Sequence, residues 1–143
     1  MTVREGSICQ QMAILVGVVL GVFVWLFGRL VGLDRDRAYY TTILTVVALY
    51  YALFAVMGGS VRALLQESIA IVAFFVLAAL GFRRSQWLVV AGLIGHGVYD
   101  CFHGLLISNP GMPQWWPYFC ASIDVTMGAF LALVIPRTDA QKG

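Results

Sequence analysis

Long apolar runs separated by short polar segments form the main pattern of the chain. Each run is about 20 residues long, the length at which an α-helix crosses the ~30 Å hydrocarbon core of a bilayer. The interruptions GLDRDR, GGS, RRS and SNPGMPQWWP are rich in the residues that end helices or turn the chain. The pattern predicts five transmembrane helices, over Met12–Leu33, Ala38–Gly58, Arg62–Phe82, Gln86–Ile107 and Trp116–Pro136.

Composition agrees with this prediction and excludes a soluble domain. Of the 143 residues, 61% are hydrophobic and 11% charged, and that charged fraction is less than half of the ~25% usual in soluble domains. The predicted fold class is an all-α integral membrane protein, one polytopic domain over residues 1–143. Its second to fifth helices form a four-helix core. The first helix is peripheral, because it carries no buried charge and has Gly17 and Gly21 spaced for close packing.

Charge distribution predicts the orientation of the chain. The positive-inside rule places the side richer in lysine and arginine in the cytoplasm. The protein is therefore predicted in an inner or plasma membrane, with its N-terminus outside and its C-terminus cytoplasmic. The net charge of +2 gives no indication of nucleic acid binding, and the GLDRDR segment is predicted to be solvated. The side of the membrane that is richer in lysine and arginine holds Arg29, Arg35, Arg37, Arg83, Arg84, Arg137 and Lys142. The opposite side holds Arg4 and Arg62.

Five ionisable residues fall inside the predicted spans. A charged group at the bilayer centre costs at least ~2.5–3.5 kcal/mol, so such residues usually face a cavity or a partner. The predicted topology places all five in the outer half of the membrane, on three different helices. We therefore predict one outward-facing site built from Glu67, His96, Asp100, His103 and Asp124.

The spacing within the fourth span strengthens this prediction. His96, Asp100 and His103 occupy positions i, i+4 and i+7, which share an arc of about 60° on a helix. Imidazole and carboxylate ligands suit Zn²⁺, Fe²⁺ or Mn²⁺. The candidate metal ligands are these three residues and Asp124, with Glu67 as an alternative fourth ligand.

Other interpretations of the same residues stay open. A His–Asp pair in a low-dielectric site can exchange a proton near neutral pH, as an acid–base pair for a lipid-like substrate or as a relay for transport. The residues could also form a hydrogen-bonded cluster that fixes helix packing. Tyr50, Tyr51 and Tyr99 either pack or line the same pocket. The SNPGMPQWWP loop is either a lid or an interfacial anchor.

The leading functional hypothesis is a membrane-embedded enzyme acting on an apolar or lipid-like substrate. In it, His96 and His103 are metal ligands or general bases, Asp100 orients or ligates, and Asp124 and Glu67 complete the site. A proton- or metal-coupled transporter is the alternative, followed by an assembly subunit of a membrane complex. The expected partners are membrane lipids, an apolar small molecule or ion, and a second copy of the chain.

No sequence motif identifies a family. Walker, Rossmann and HExxH patterns are absent from the sequence. The architecture is similar to that of small helical sterol-isomerase-like proteins, which also place histidine and acidic residues inside a short bundle. Cys9, Cys101 and Cys120 form no C-x-x-C pair, which favours three free cysteines that serve packing, with a Cys101–Cys120 disulfide as the alternative.

Overall fold

The computed structural model describes the backbone of residues 3–140 and the side chains of residues 6–135. This part of the chain is 88% helical and contains no strand. The five predicted helices are confirmed, and each is long and apolar enough to cross a membrane. The first begins earlier than predicted, because helix-forming polar residues precede its apolar run. The helices are α1 (Val3–Val31), α2 (Arg37–Met57), α3 (Val61–Arg83), α4 (Gln86–Leu106) and α5 (Trp116–Ala140).

Side-chain caps define where the three central helices begin. Asp36 accepts a hydrogen bond from the backbone N–H of the second residue of α2 at 2.8 Å. Ser60 and Ser85 accept backbone N–H bonds at the starts of α3 and α4, at 3.1 and 3.3 Å. Each cap satisfies a helix N–H group that has no partner within the helix. The short connections between these helices make successive helices antiparallel neighbours.

Helices α2 to α5 pack around a common interior, in which α4 lies against both α3 and α5. At one end of this bundle, the loop end, the 107–115 loop joins α4 to α5. At the opposite end, the arginine end, α1 leads into α2 and α3 leads into α4. Apolar side chains fill the interior towards the arginine end. They include Leu44, Val89, Leu93, Met127 and Leu131.

Helix α1 packs along α5. A side chain at Gly17 would collide with the Ser122 hydroxyl and the Phe119 carbonyl, so the glycine is needed for this close approach. Trp25 of α1 also stacks on Phe130 of α5, with 4.1 Å between ring centroids. The small-residue pair of α1 thus serves packing within the chain.

The GLDRDR segment is more ordered than its charge suggests. Its central residues form a short 3₁₀ turn, Leu33–Arg35, after Gly32 with φ of 85°. The Asp34 side chain is only 1% exposed and accepts a bond from Arg29 at 2.9 Å. The prediction of a fully solvated segment was therefore wrong for Asp34, because an arginine in the last turn of α1 pairs with it.

Candidate functional site

Helix α4 supplies three buried polar side chains from one face. His96, Asp100 and His103 are at most 1% exposed. The i, i+4, i+7 spacing therefore predicted their common face correctly. Glu67 of α3 and Asp124 of α5 are also fully buried, at 0% exposure. Three helices bring their ionisable residues into the interior, towards the loop end.

Four of the buried side chains converge between α4 and α5, and we call them the metal-type group: His96, Asp100, Cys120 and Asp124. One candidate ligand atom from each residue lies within 4.8 Å of all the others. His96 Nδ1 lies 2.7 Å from Asp124 Oδ2 and 3.6 Å from Asp100 Oδ2. The Cys120 thiol lies 3.8 Å from Asp124 Oδ2. The group thus offers one nitrogen, two carboxylates and one sulfur to a single point.

A second cluster lies closer to the 107–115 loop, and we call it the Glu67 group: Glu67, Tyr99, His103 and Asn109. Glu67 Oε1 is 2.7 Å from His103 Nε2 and accepts a bond from Asn109 Nδ2 at 2.9 Å. The Tyr99 hydroxyl donates to Glu67 Oε2 at 3.0 Å. The carboxylate therefore has three partners inside the protein.

The converging ligand set differs from the predicted one at a single position. His103 lies outside the metal-type group and pairs with Glu67, while Cys120 occupies the fourth place. The physical reason is height along the helix. Seven residues advance a helix by about 10 Å, so His96 and His103 share a face but lie at different heights, where they contact Asp124 and Glu67 respectively.

Tyr51 of α2 connects the two clusters. Its hydroxyl donates to Asp100 Oδ1, and its ring stacks on His103 with 4.2 Å between centroids. Its backbone carbonyl accepts a bond at 3.0 Å from Asn109. One tyrosine therefore orients a carboxylate of the metal-type group and packs against the histidine of the Glu67 group.

Negative charge exceeds positive charge in this interior. Three carboxyl groups face two imidazoles, so one negative charge stays unbalanced even when both rings are protonated. In the part of the chain whose side chains are described, lysine and arginine make no ion pair with these carboxylates. Asp100 Oδ2, Asp124 Oδ1 and His96 Nε2 are buried without hydrogen-bond partners. Buried unpaired charge is strongly unfavourable, so the arrangement calls for an added proton or cation.

A cavity of about 320 Å³ borders the metal-type group at Asp100. It lies between α4, the 107–115 loop and the start of α5. Its wall combines apolar side chains with a few polar ones, which suits a mainly apolar ligand. Besides Asp100, it is lined by Cys101, Gly104, Leu105, Met112, Gln114, Pro117 and Tyr118.

The cysteines are all free, as predicted, with Cys101 exposed and Cys120 buried. Sequence reasoning treated Cys120 as a packing residue, although its spacing of four residues from Asp124 is the spacing that singled out His96 and Asp100. Asn109 was missed as well, because only the folded loop brings it to Glu67.

Comparisons with models of protein families, with curated proteins and with solved structures found no match. Any functional conclusion therefore depends on the site itself.

Proposed function

We propose that this protein is an integral membrane enzyme that acts on a lipid-like substrate at the metal-type group, with a bound divalent metal ion. One observation carries the proposal. Ionisable side chains from α4 and α5, all at most 1% exposed, converge next to a cavity that reaches Asp100. A few buried polar groups beside a largely apolar cavity are the usual composition of a ligand-binding or active site.

The membrane location is supported by the outer faces of the helices. Large apolar side chains are exposed there, including Leu105 at 84%, Leu30 at 78% and Ile69 at 76%. Such surfaces are stable in hydrocarbon and unfavourable in water. In the proposed orientation the arginine end is cytoplasmic and the loop end faces outward. A reporter that is active only in the cytoplasm should be active when it is fused to the C-terminus. Activity of a reporter that works only on the outer side would show that the orientation is the opposite one.

The donor set suits zinc best. Imidazole nitrogen, carboxylate oxygen and thiolate sulfur are its usual ligands, whereas Mn²⁺ favours oxygen. Tetrahedral ligands at 2.0–2.3 Å from Zn²⁺ are about 3.3–3.8 Å apart. The separations of 3.6 Å between His96 and Asp100 and 3.8 Å between Cys120 and Asp124 match this, and the wider separations in the group, up to 4.8 Å, would have to shorten around an ion. The 2.7 Å contact between His96 and Asp124 is a hydrogen bond, whose proton the ion would replace.

In the proposed reaction, different side chains around the site have different roles. A bound zinc ion would supply Lewis acidity to a substrate oxygen, which would join the four side-chain ligands when the substrate binds. Asp100 is among the residues that line the cavity, and we assign to its buried carboxylate the transfer of a proton to or from a substrate that reaches it. Tyr51 fixes the orientation of that carboxylate through its hydrogen bond. Leu105, Met112 and the aromatic ring of Tyr118 line the space in which an apolar substrate would lie. Hydrolysis or isomerisation of a lipid fits these roles.

A proton- or metal-coupled transporter fits less well. Alternating access requires a path from the site to both sides of the membrane. Between the metal-type group and the arginine end, the interior is filled by buried side chains such as Leu44, Leu93 and Met127. An assembly subunit also fits less well, because the polar residues are buried inside the chain's own bundle, at most 1% exposed, and are not on a surface that a partner helix could contact.

Product analysis tests the proposed function. The purified protein, reconstituted in lipid nanodiscs and loaded with zinc, is incubated with a membrane lipid extract, and the lipids are compared by mass spectrometry before and after. We expect at least one lipid class to decrease while a product accumulates, and Asp100→Asn to abolish the change. Asp36→Asn, which alters an exposed aspartate at the arginine end, is the control and should leave it intact. Unchanged lipids with the parent protein, or equal turnover by Asp100→Asn, would contradict the proposal.

A further inference from the structure

A second polar cavity lies at the arginine end, on the opposite side of the bundle from the metal-type group. Its volume is about 310 Å³. Arg35, Arg37 and Arg84 line it, together with Gln86 and the apolar side chains of Leu131 and Ile135 from α5. We propose that this cavity binds the headgroup of an anionic phospholipid that carries free hydroxyl groups, such as a phosphatidylglycerol. The proposal depends on the membrane location but not on the chemistry at the other end.

Charge around the cavity favours an anion. Asp34 and Asp36 also line it, but both carboxylates are already engaged. Asp34 is paired with Arg29 at 2.9 Å, and Asp36 caps α2 at 2.8 Å. Among the residues whose side chains are described, three arginines and two aspartates line the cavity. Arg29, which pairs with Asp34 from outside the lining, raises the excess to two positive charges. Guanidinium groups bind phosphate oxygens well, because their donors match the spacing of those oxygens.

The position of the cavity suits a lipid rather than a soluble anion. Arg37 begins α2 and Arg84 follows the end of α3, so both lie where the proposed spans leave the hydrocarbon. Trp87 is 51% exposed beside them, and tryptophan is enriched at that depth of the membrane. The α5 wall then offers apolar contact to the glycerol backbone and acyl chains. Basic pockets between helices on the cytoplasmic side are a recurrent form of lipid recognition.

A buried hydrogen-bond acceptor is the reason why we propose a headgroup that carries hydroxyl groups. The second carboxylate oxygen of Asp34, Oδ1, is buried without a hydrogen-bond partner, and its residue lines the cavity. A headgroup hydroxyl can donate to it while the phosphate binds the arginines. A choline headgroup has no N–H or O–H donor and cannot make this bond.

Native mass spectrometry of delipidated protein tests the proposal. Phosphatidylglycerol and phosphatidylcholine with identical acyl chains are titrated separately, and the bound fraction is measured. We expect clear retention of phosphatidylglycerol over phosphatidylcholine. Arg35→Gln/Arg84→Gln should weaken phosphatidylglycerol binding roughly 30-fold. Each basic residue near an anionic surface contributes roughly fivefold to the affinity, and the variant removes two.

The variants are chosen to keep the fold. The Arg35 and Arg84 side chains are exposed, whereas Arg37 donates to the Arg84 carbonyl at 3.3 Å and is left unchanged. The control, Arg62→Gln/Arg83→Gln, removes the same amount of charge from residues that do not line the cavity. It should bind phosphatidylglycerol like the parent.

Three outcomes would overturn the proposal. One is equal binding of the two lipids, and another is an equal loss in the control, which would indicate a general charge effect. The third is displacement of the lipid by an equal concentration of inorganic phosphate, which would indicate a free phosphate ligand. None of these outcomes changes the expected metal content or turnover at the other end, so the two proposals fail separately.

Discussion

His96 Nδ1 of α4 lies 2.7 Å from Asp124 Oδ2 of α5, and both side chains are at most 1% exposed. This contact joins the two helices that pack most extensively against each other. It also places a hydrogen-bonded proton between two of the candidate metal ligands. The same pair therefore contributes to the stability of the bundle and to its proposed chemistry.

Replacement of Asp124 should destabilise the metal-free protein. Asp124→Ala leaves the buried imidazole without its carboxylate, and removal of one partner from a buried pair costs about 3–5 kcal/mol. Asp124→Asn keeps an acceptor for His96 and should lose less. Thermal unfolding in detergent with a chelator present measures both variants. Equal melting temperatures for Asp124→Ala and the parent would show that the contact is unimportant for stability.

Loss of the Tyr51 hydroxyl should weaken metal binding without loss of the fold. Tyr51→Phe keeps the ring stacked on His103 but leaves Asp100 without its donor. Loss of a hydrogen bond that orients a ligand typically lowers metal affinity about 10–100-fold. Competition with a chromophoric chelator measures the affinity. Tyr50→Phe is the matched control, because Tyr50 packs on Phe54 and Trp116 instead. The same affinity in both variants would exclude an orienting role for Tyr51.

Asn109 should control the order of the 107–115 loop. Its side chain donates to the Tyr51 carbonyl and to Glu67, which ties the loop to α2 and α3. Asn109→Ala leaves these buried acceptors with fewer donors, at a cost of about 1–3 kcal/mol. We expect faster amide hydrogen exchange in the loop. Ser108→Ala, at the exposed neighbouring position, should exchange like the parent, and equally slow exchange in Asn109→Ala would be inconsistent with this anchoring role.

A methyl group at Gly17 should separate α1 from α5. It would collide with Ser122 and with the Phe119 backbone, and overpacking of this kind typically costs about 1–3 kcal/mol. The measurement is the melting temperature in detergent. Gly6→Ala is the control, since a methyl group there meets no atom within 4 Å. If both variants had the melting temperature of the parent, the result would contradict close packing of α1 on α5 at Gly17.

Helical periodicity predicted the five helices and the common buried face of the three polar residues of α4. Apolar runs indicated the five helices, and the four-residue spacing placed His96 and Asp100 together. Periodicity gives the face of a helix but not the height of the partner residue on another helix. The rise of about 10 Å between His96 and His103 was calculable from the sequence, but that His103 meets Glu67 while His96 meets Asp124 was not.

Residues outside regular patterns could not be placed from sequence. Asn109 meets Glu67 and Tyr51 from sequence separations of 42 and 58 residues, and these contacts depend on how the loop folds back over the bundle. Cys120 was recognisable in principle from its spacing to Asp124. Its interpretation as a packing residue followed from how often free cysteines are simply buried.

Metal content tests the central claim most directly. The purified protein, Cys120→Ala and Cys101→Ala are each incubated with zinc, dialysed against a weak chelator and measured by elemental analysis. The two cysteines differ in position, since Cys120 is buried in the metal-type group and Cys101 is exposed beside it. We predict about one zinc ion per chain in the parent and in Cys101→Ala, as a four-ligand site requires, and little or none in Cys120→Ala. Absence of zinc from the parent, or equal zinc in both variants, would contradict the account.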